Sequence, residues 1–164
     1  MTVLLGDKQR FGMEVGDWVD SELRQVDLWI AGQRLTCDDN LAFVKQFRLS
    51  VAGTARWMRS GGGSPPPFPG LSPVAAHRRL VDESEDFEET AWNCRFFGWG
   101  PTTDNLQAFA FREGAHLTIT VAFWREEHLR EHPEHAGKVW VAELRTEEFL
   151  GLLEELVAII DRDS

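Results

Sequence analysis

The chain has 164 residues and a formal net charge of −10, and 43% of its residues are hydrophobic, with 7 Trp and 11 Phe among them. This composition excludes a disordered chain and fits a single domain, residues 1–164, that buries a core without disulfides. The acidic balance argues against a nucleic-acid partner, and apolar runs no longer than Leu156 to Ile160 argue against a membrane partner, so we expect a cytoplasmic protein.

Period-two alternation predicts two strands near the N-terminus. Apolar residues alternate with polar or small ones from Phe11 to Val15 and again from Val26 to Ile30, which is typical of half-buried strands. Gly32-Gln33 then predicts a turn, and Arg34-Leu35 return as a short hairpin arm. The chain therefore opens with a small antiparallel unit.

A helix is predicted next. Thr36 to Asp39 fit a capping box, and apolar residues recur at helical spacing from Leu41 to Met58. The helix should end before residues 61–70, because eight of these residues are Gly or Pro. We interpret residues 61–70 as a Gly/Pro-rich loop inserted in the single domain, and we expect its shortening to cost little stability.

The second half has the pattern of a strand meander followed by a helix. Strands are predicted over Trp92–Trp99, Leu106–Arg112, Ala115–Trp124 and Val139–Leu144, with a polar loop before the last of them. Thr146 is predicted to cap a final helix with an apolar stripe. This order of elements predicts an α+β fold with a largely antiparallel sheet and two main helices.

Three histidines, His128, His132 and His135, are the strongest candidates for metal ligands. On a helix, the spacing of four between His128 and His132 would place both imidazoles on one face. Pro133 disfavours helical geometry at His132, and a solvated loop is the simpler interpretation of this segment. We therefore expect no metal and no cofactor, and a metal-dependent enzyme that uses these three histidines is an alternative function.

The sequence contains no recognisable catalytic motif. Its serines lie in no nucleophile elbow, and Gly61 to Gly63 precede Ser and Pro rather than a phosphate-binding helix start. Cys94 is expected to be packed on a strand, and Cys37 to be either a small residue in the helix cap or a thiol of lowered pKa. We predict no catalytic residues, and we expect most Trp residues in the core, with one or two free as interface anchors.

The negative charge is confined to the second part of the chain. Residues 1–60 carry eight basic and eight acidic groups, whereas residues 61–164 carry nine basic and nineteen acidic groups. Residues 82–89, which we call the acidic segment, contain six carboxylates, and a cationic partner would relieve their mutual repulsion. A solvated surface is the alternative. The predicted partner-binding residues are Asp82, Glu83, Glu85, Asp86, Glu88 and Glu89.

Both ends of the chain carry motifs of a known family. Leu5-Gly6-Asp7 leads to Phe11-Gly12-Met13-Glu14, and Leu28-Trp29-Ile30-Ala31-Gly32-Gln33 follows. Lys138-Val139-Trp140-Val141-Ala142-Glu143-Leu144 precedes the final helix. In these features the chain resembles the immunity protein 42 family of bacterial polymorphic toxin systems, although Ala31 stands where the family usually has Asn.

The resemblance implies a small cytoplasmic antidote that blocks a cognate toxin by direct binding, and it supplies no catalytic residues to carry over. An acidic antidote suits a basic toxin, such as a nuclease, because opposed fields accelerate association. A non-catalytic adaptor subunit of another bacterial system is a further alternative.

Overall fold

Two antiparallel sheets organise the fold, which the computed structural model describes for residues 2–83 and 85–163. Met1, Ser164 and Ser84, which interrupts the acidic segment, lie outside the described residues. The strands of the first sheet are β1 (Val3–Gly6), β2 (Phe11–Trp18), β3 (Leu23–Ile30), β4 (Gln33–Arg34) and β5 (Leu41–Phe43). They pair in the order β1-β2-β3-β4, and β5 also pairs with β3. The predicted N-terminal strands and hairpin arm are confirmed.

The first long helix, α1, spans Val44–Arg59 and begins later than predicted. Its buried stripe agrees with the sequence pattern and consists of Val44, Phe47, Val51, Ala55 and Met58. The predicted capping box is wrong, because the Thr36 hydroxyl donates to the Asp27 carboxylate at 2.6 Å instead of capping a helix. Pairing of β5 with β3, a long-range contact, overrides the local cap signal.

The second sheet has the strands β6 (Arg95–Phe96), β7 (Leu106–Glu113), β8 (His116–Phe123) and β9 (Trp140–Arg145), in that spatial order. The last three confirm predicted strands, and a largely antiparallel α+β fold is therefore confirmed as well. The predicted strand Trp92–Trp99 is largely wrong, because a helix, α3 (Glu88–Cys94), occupies its first part. Phe87, Ala91 and Cys94 share the helical spacing; Cys94 belongs to a second core, and Phe87 and Ala91 pack against it.

The remaining helices are α2 (Pro73–Asp82), α4 (Glu126–Glu131) and α5 (Thr146–Arg162). Neither α2 nor α4 was predicted; α4 lies in the predicted polar loop. The predicted cap at Thr146 is wrong, since Arg145 is the N-cap residue and Thr146 is the first helical residue. None of the helices in the described ranges combines the length and the apolar character that crossing a bilayer requires.

Two hydrophobic cores lie on opposite faces of the second sheet. On β8, Leu117, Ile119 and Val121 belong to the main core, which α1, α5 and the first sheet complete. The alternate residues Thr118 and Thr120 are also buried, because α2 covers that face. The second core consists of Phe68, Ala76, Leu80, Cys94, Phe109 and Phe111.

The Gly/Pro-rich segment 61–70 is irregular but not free of the core. Phe68 is only 8% exposed and belongs to the second core. The backbone N–H of Arg112 donates to the Ser64 carbonyl at 2.7 Å, which fixes the segment against β7. These contacts argue against the expectation that shortening this loop costs little stability.

Truncating Phe68 is expected to destabilise the protein. Phe68→Ala should lower the free energy of unfolding by about 3 kcal/mol, because it empties a position of the second core. Leu71→Ala, two residues beyond Pro69 and 40% exposed, is the matched control and should change it by less than about 1 kcal/mol. Urea unfolding measures both, and equal small losses would show that the segment is not packed.

Candidate partner-binding site

The acidic segment lies at the surface where two helices meet. Asp82 ends α2, Glu83 is its C-cap residue, and Glu88 and Glu89 begin α3. All six predicted partner-binding carboxylates are exposed. Among the described residues, Glu83 alone of the six forms an ion pair, with Arg79 at 3.3 Å. The segment is therefore a concentrated and largely unneutralised negative surface.

Most acidic residues of α5 are, by contrast, paired with arginines within the fold. Arg48 donates two hydrogen bonds to Asp161, at 2.7 and 3.0 Å, and these hold the pKa of Asp161 below its ordinary value. Arg59 forms ion pairs with Glu147 and Glu154. Arg48 and Arg59 of α1 thus pair with three acidic residues of α5, whereas five of the six carboxylates of the acidic segment have no ion pair among the described residues.

A cleft of about 770 Å³ opens beside the acidic segment. We call it the tryptophan cleft; its apolar lining includes Trp92, Phe96, Leu106 and Trp124. Trp92 also borders a shallow depression formed by the segment's carboxylates, Glu85, Asp86, Glu88 and Glu89. Trp92 therefore joins an apolar cleft and an acidic surface into one continuous face.

The wall of the tryptophan cleft has an uncommon backbone conformation. Phe97 follows β6 with a φ of 61°, a left-handed value that is rare for an aromatic residue. The Thr103 hydroxyl accepts from the Trp99 backbone N–H at 3.2 Å and donates to the Phe97 carbonyl at 2.6 Å. The rings of Phe97 and Trp99 are buried and pack edge to face, with centroids 4.9 Å apart. These contacts fix the backbone that forms one wall of the cleft.

The prediction that most tryptophans lie in the core is wrong. Trp99 is 1% exposed, whereas Trp92 is 69% and Trp124 is 54% exposed. The Trp124 indole N–H donates to the Asp104 carbonyl at 2.9 Å, and the Arg95 guanidinium lies 5.3 Å from the centre of the Trp92 ring. Both cleft tryptophans are thereby oriented, so a partner would immobilise them at low entropic cost.

The three candidate histidines come together by a route that the sequence did not indicate. His132 lies outside helical geometry, as Pro133 predicts, and is the C-cap residue of α4. Pro133 begins a 3-10 turn (Pro133–His135) that returns His135 to His128. The Nε2 atom of His128 lies 2.9 Å from Nδ1 of His135, and its Nδ1 lies 2.7 Å from Oδ2 of Asp38. His128 is 3% exposed, so the expected solvated loop is wrong.

Distant residues stabilise this histidine cluster. The Asn105 amide donates to Asp38 at 2.8 Å, and the Phe123 ring stacks on His128 with centroids 3.9 Å apart. Partial burial acts to raise the pKa of Asp38, but hydrogen bonds from His128 and Asn105 outweigh it and lower that pKa. Burial lowers the pKa of His135, and His128 contributes to the same shift.

Neither cysteine has the environment of a reactive thiol. Burial raises the pKa of both thiols, and the neighbouring Asp38 raises that of Cys37 further. The alternative of a lowered pKa at Cys37 is wrong, because no helix begins there. Cys94 is packed, as predicted, although it ends α3 rather than lying on a strand.

His77 of α2 is a buried titratable residue that the sequence analysis missed. It is 2% exposed, and its Nδ1 lies 2.7 Å from the Thr120 hydroxyl oxygen on β8. Within the described part of the chain its Nε2 has no hydrogen-bond partner. Burial lowers the pKa of His77 to about 4, which favours the neutral imidazole in the folded state.

We expect His77 to make the protein less stable in acid. Its folded-state pKa of about 4 lies below the ordinary 6.5, so the unfolded chain takes up the proton first as the pH falls. The contribution of His77 to the free energy of unfolding is then fully present above pH 6.5 and is lost towards pH 4, by about 3 kcal/mol in total. His77→Gln retains a partner for Thr120 but does not titrate. Unfolding free energies measured across this range should therefore depend less on pH in the variant, and equal slopes would contradict the assignment.

The fold is shared with a solved structure. The crystal structure of CdiI from Burkholderia dolosa AUO158 matches with a TM-score of 0.64 at 11% sequence identity, over 95% of this chain and 99% of that chain. At this identity the likeness shows the fold alone. No protein-family model and no curated protein matches the sequence, and membership of the immunity protein 42 family stays a prediction.

Proposed function

We propose that this protein is an immunity protein that neutralises a cognate toxin by direct binding and without catalysis. The observation that carries the proposal is the fold shared with CdiI, a contact-dependent inhibition immunity protein, over nearly the whole of both chains. The sequence motifs that resemble the immunity protein 42 family support the same class and rest on different features.

The proposed toxin-binding face combines the acidic segment with the tryptophan cleft. The carboxylates steer a basic partner towards the face, and the cleft receives an apolar group that projects from the partner. Trp92 and Trp124 are suited to anchor the contact because both are exposed and already oriented. The charges increase the association rate and orient the partners, while the buried aromatic contact slows dissociation.

The chemistry of this face favours a basic toxin of the nuclease type. An enzyme that acts on nucleic acid carries a basic surface to bind phosphates, and the acidic segment is complementary to it. Such a toxin acts in the cytoplasm, where we propose that the immunity protein binds it.

Protection of cells tests the proposal. The toxin encoded beside this gene is expressed in a bacterial host with or without this protein, and we expect growth to be restored only when both are present. The toxin of an unrelated system is the control, and no protection against it is expected. Failure to restore growth with the neighbouring toxin would refute the immunity function.

A further inference from the structure

We propose that His132, Glu134 and His135 bind one divalent transition-metal ion, such as Zn²⁺. None of the three lines the tryptophan cleft or belongs to the acidic segment, so the site is separate from the proposed toxin-binding face. Imidazole nitrogens with a carboxylate oxygen are a ligand set that suits Zn²⁺ and its transition-metal neighbours.

The 3-10 turn that follows Pro133 converges the three ligand atoms. Nδ1 of His132 lies 3.4 Å and Nε2 of His135 lies 3.9 Å from Oε1 of Glu134. One ligand atom from each of the three residues lies within 4.8 Å of the others. Atoms bound to one tetrahedral Zn²⁺ at about 2.0–2.1 Å are separated by roughly 3.4 Å. The 3.4 and 3.9 Å distances to Glu134 are therefore close to the ligand spacing around a single ion.

A partly buried chain of hydrogen bonds orients His135 as a ligand. The Asp38 carboxylate accepts from Nδ1–H of His128 at 2.7 Å, and Nε2 of His128, when neutral, accepts from Nδ1–H of His135 at 2.9 Å. This arrangement leaves the lone pair of His135 on Nε2, the atom that faces Glu134. Metal-bound histidines commonly donate their second ring N–H to such a partner, which fixes the tautomer and the ring orientation.

Exposure of the three side chains gives an ion access to the site. The Glu134 side chain is 59% exposed and that of His132 is 40% exposed, whereas that of His135 is 11% exposed. A second group of potential ligands, Cys37, Asp38 and His128, is a poorer candidate, because Asp38 and His128 already bind each other. The site also differs from the one considered in the sequence, since it uses the turn after Pro133 rather than two histidines on one helix.

Calorimetric titration of the chelator-treated protein with Zn²⁺ tests the proposal. We expect saturation at one ion per chain and a melting temperature that rises with added Zn²⁺. Glu134→Gln and His132→Ala alter side chains that are 59% and 40% exposed, and each should weaken binding at least tenfold. His116→Ala removes a histidine on the surface of β8 and should leave binding unchanged.

Three results would overturn the metal site. The first is no saturable Zn²⁺ binding to the wild-type protein. The second is binding by Glu134→Gln and His132→Ala as tight as that of the wild-type protein. The third is a loss of affinity in His116→Ala as large as in those two variants. Toxin neutralisation is measured separately, so failure of the metal site leaves the immunity proposal intact.

Discussion

Neutralising the acidic segment is expected to slow association with the toxin by about tenfold or more at low salt. The variant changes the six carboxylates of residues 82–89 to Asn or Gln, and association is followed by stopped flow at low and physiological ionic strength. Fewer charges weaken the long-range attraction, so the variant should also be less sensitive to salt. The dissociation rate should change far less, because steering acts before contact forms.

Two variants with the same charge change provide the control. One neutralises Glu85, Asp86 and Glu88, and the other neutralises the exposed Glu126, Glu127 and Glu131 in α4. The first should slow association clearly more than the second, although both remove the same charge. Equal effects would show that only the overall net charge matters and that the acidic segment is ordinary solvated surface.

Removal of the Trp92 side chain is expected to weaken toxin binding by about thirtyfold or more, which corresponds to roughly 2 kcal/mol for a central aromatic anchor. Trp92 is 69% exposed, so Trp92→Ala should leave the fold intact. The loss should appear mainly as faster dissociation, because the anchor acts once the partners are in contact.

Trp57→Ala is the matched control for Trp92→Ala. Trp57 lies on α1, is 45% exposed and does not line the tryptophan cleft. Surface plasmon resonance should show near-native dissociation for Trp57→Ala. If both variants dissociate at the same rate, the cleft does not contact the toxin.

Strict local periodicity explains which elements the sequence predicts well. The alternation along β8 and the apolar stripe of α1 identify those elements because each buries a face against the main core. On the other face of the second sheet the same pattern gives a wrong prediction, since Thr118 and Thr120 are buried although they are polar. Polar residues at alternate positions of a strand predict a solvent-exposed face, whereas α2 covers this one.

Some missed elements had local signals. Ser72 caps α2 by accepting from the Ala75 backbone N–H, and Pro73 occupies the first turn, which is a recognisable helix start. At α3, the spacing of Phe87, Ala91 and Cys94 indicates a helix. The aromatic residues that follow, Phe96, Phe97 and Trp99, are typical of strands and led to the prediction of a strand instead.

The sequence likewise predicts one part of the candidate site and misses the others. The acidic segment is visible in the sequence because charge density is a local property. The tryptophan cleft is not, because Trp92 lies on α3, Phe96 on β6 and Trp124 just after β8, and only the tertiary fold brings them together. The histidine cluster likewise depends on Asp38, which is distant in the chain and fixes His128.

Direct binding to the toxin is the most decisive measurement. Calorimetric titration of the purified protein into the purified toxin encoded beside its gene should show a tight one-to-one complex. We expect that complex to weaken with salt and with Trp92→Ala. No detectable heat and no complex by size-exclusion chromatography would contradict the proposal that this protein is an immunity protein.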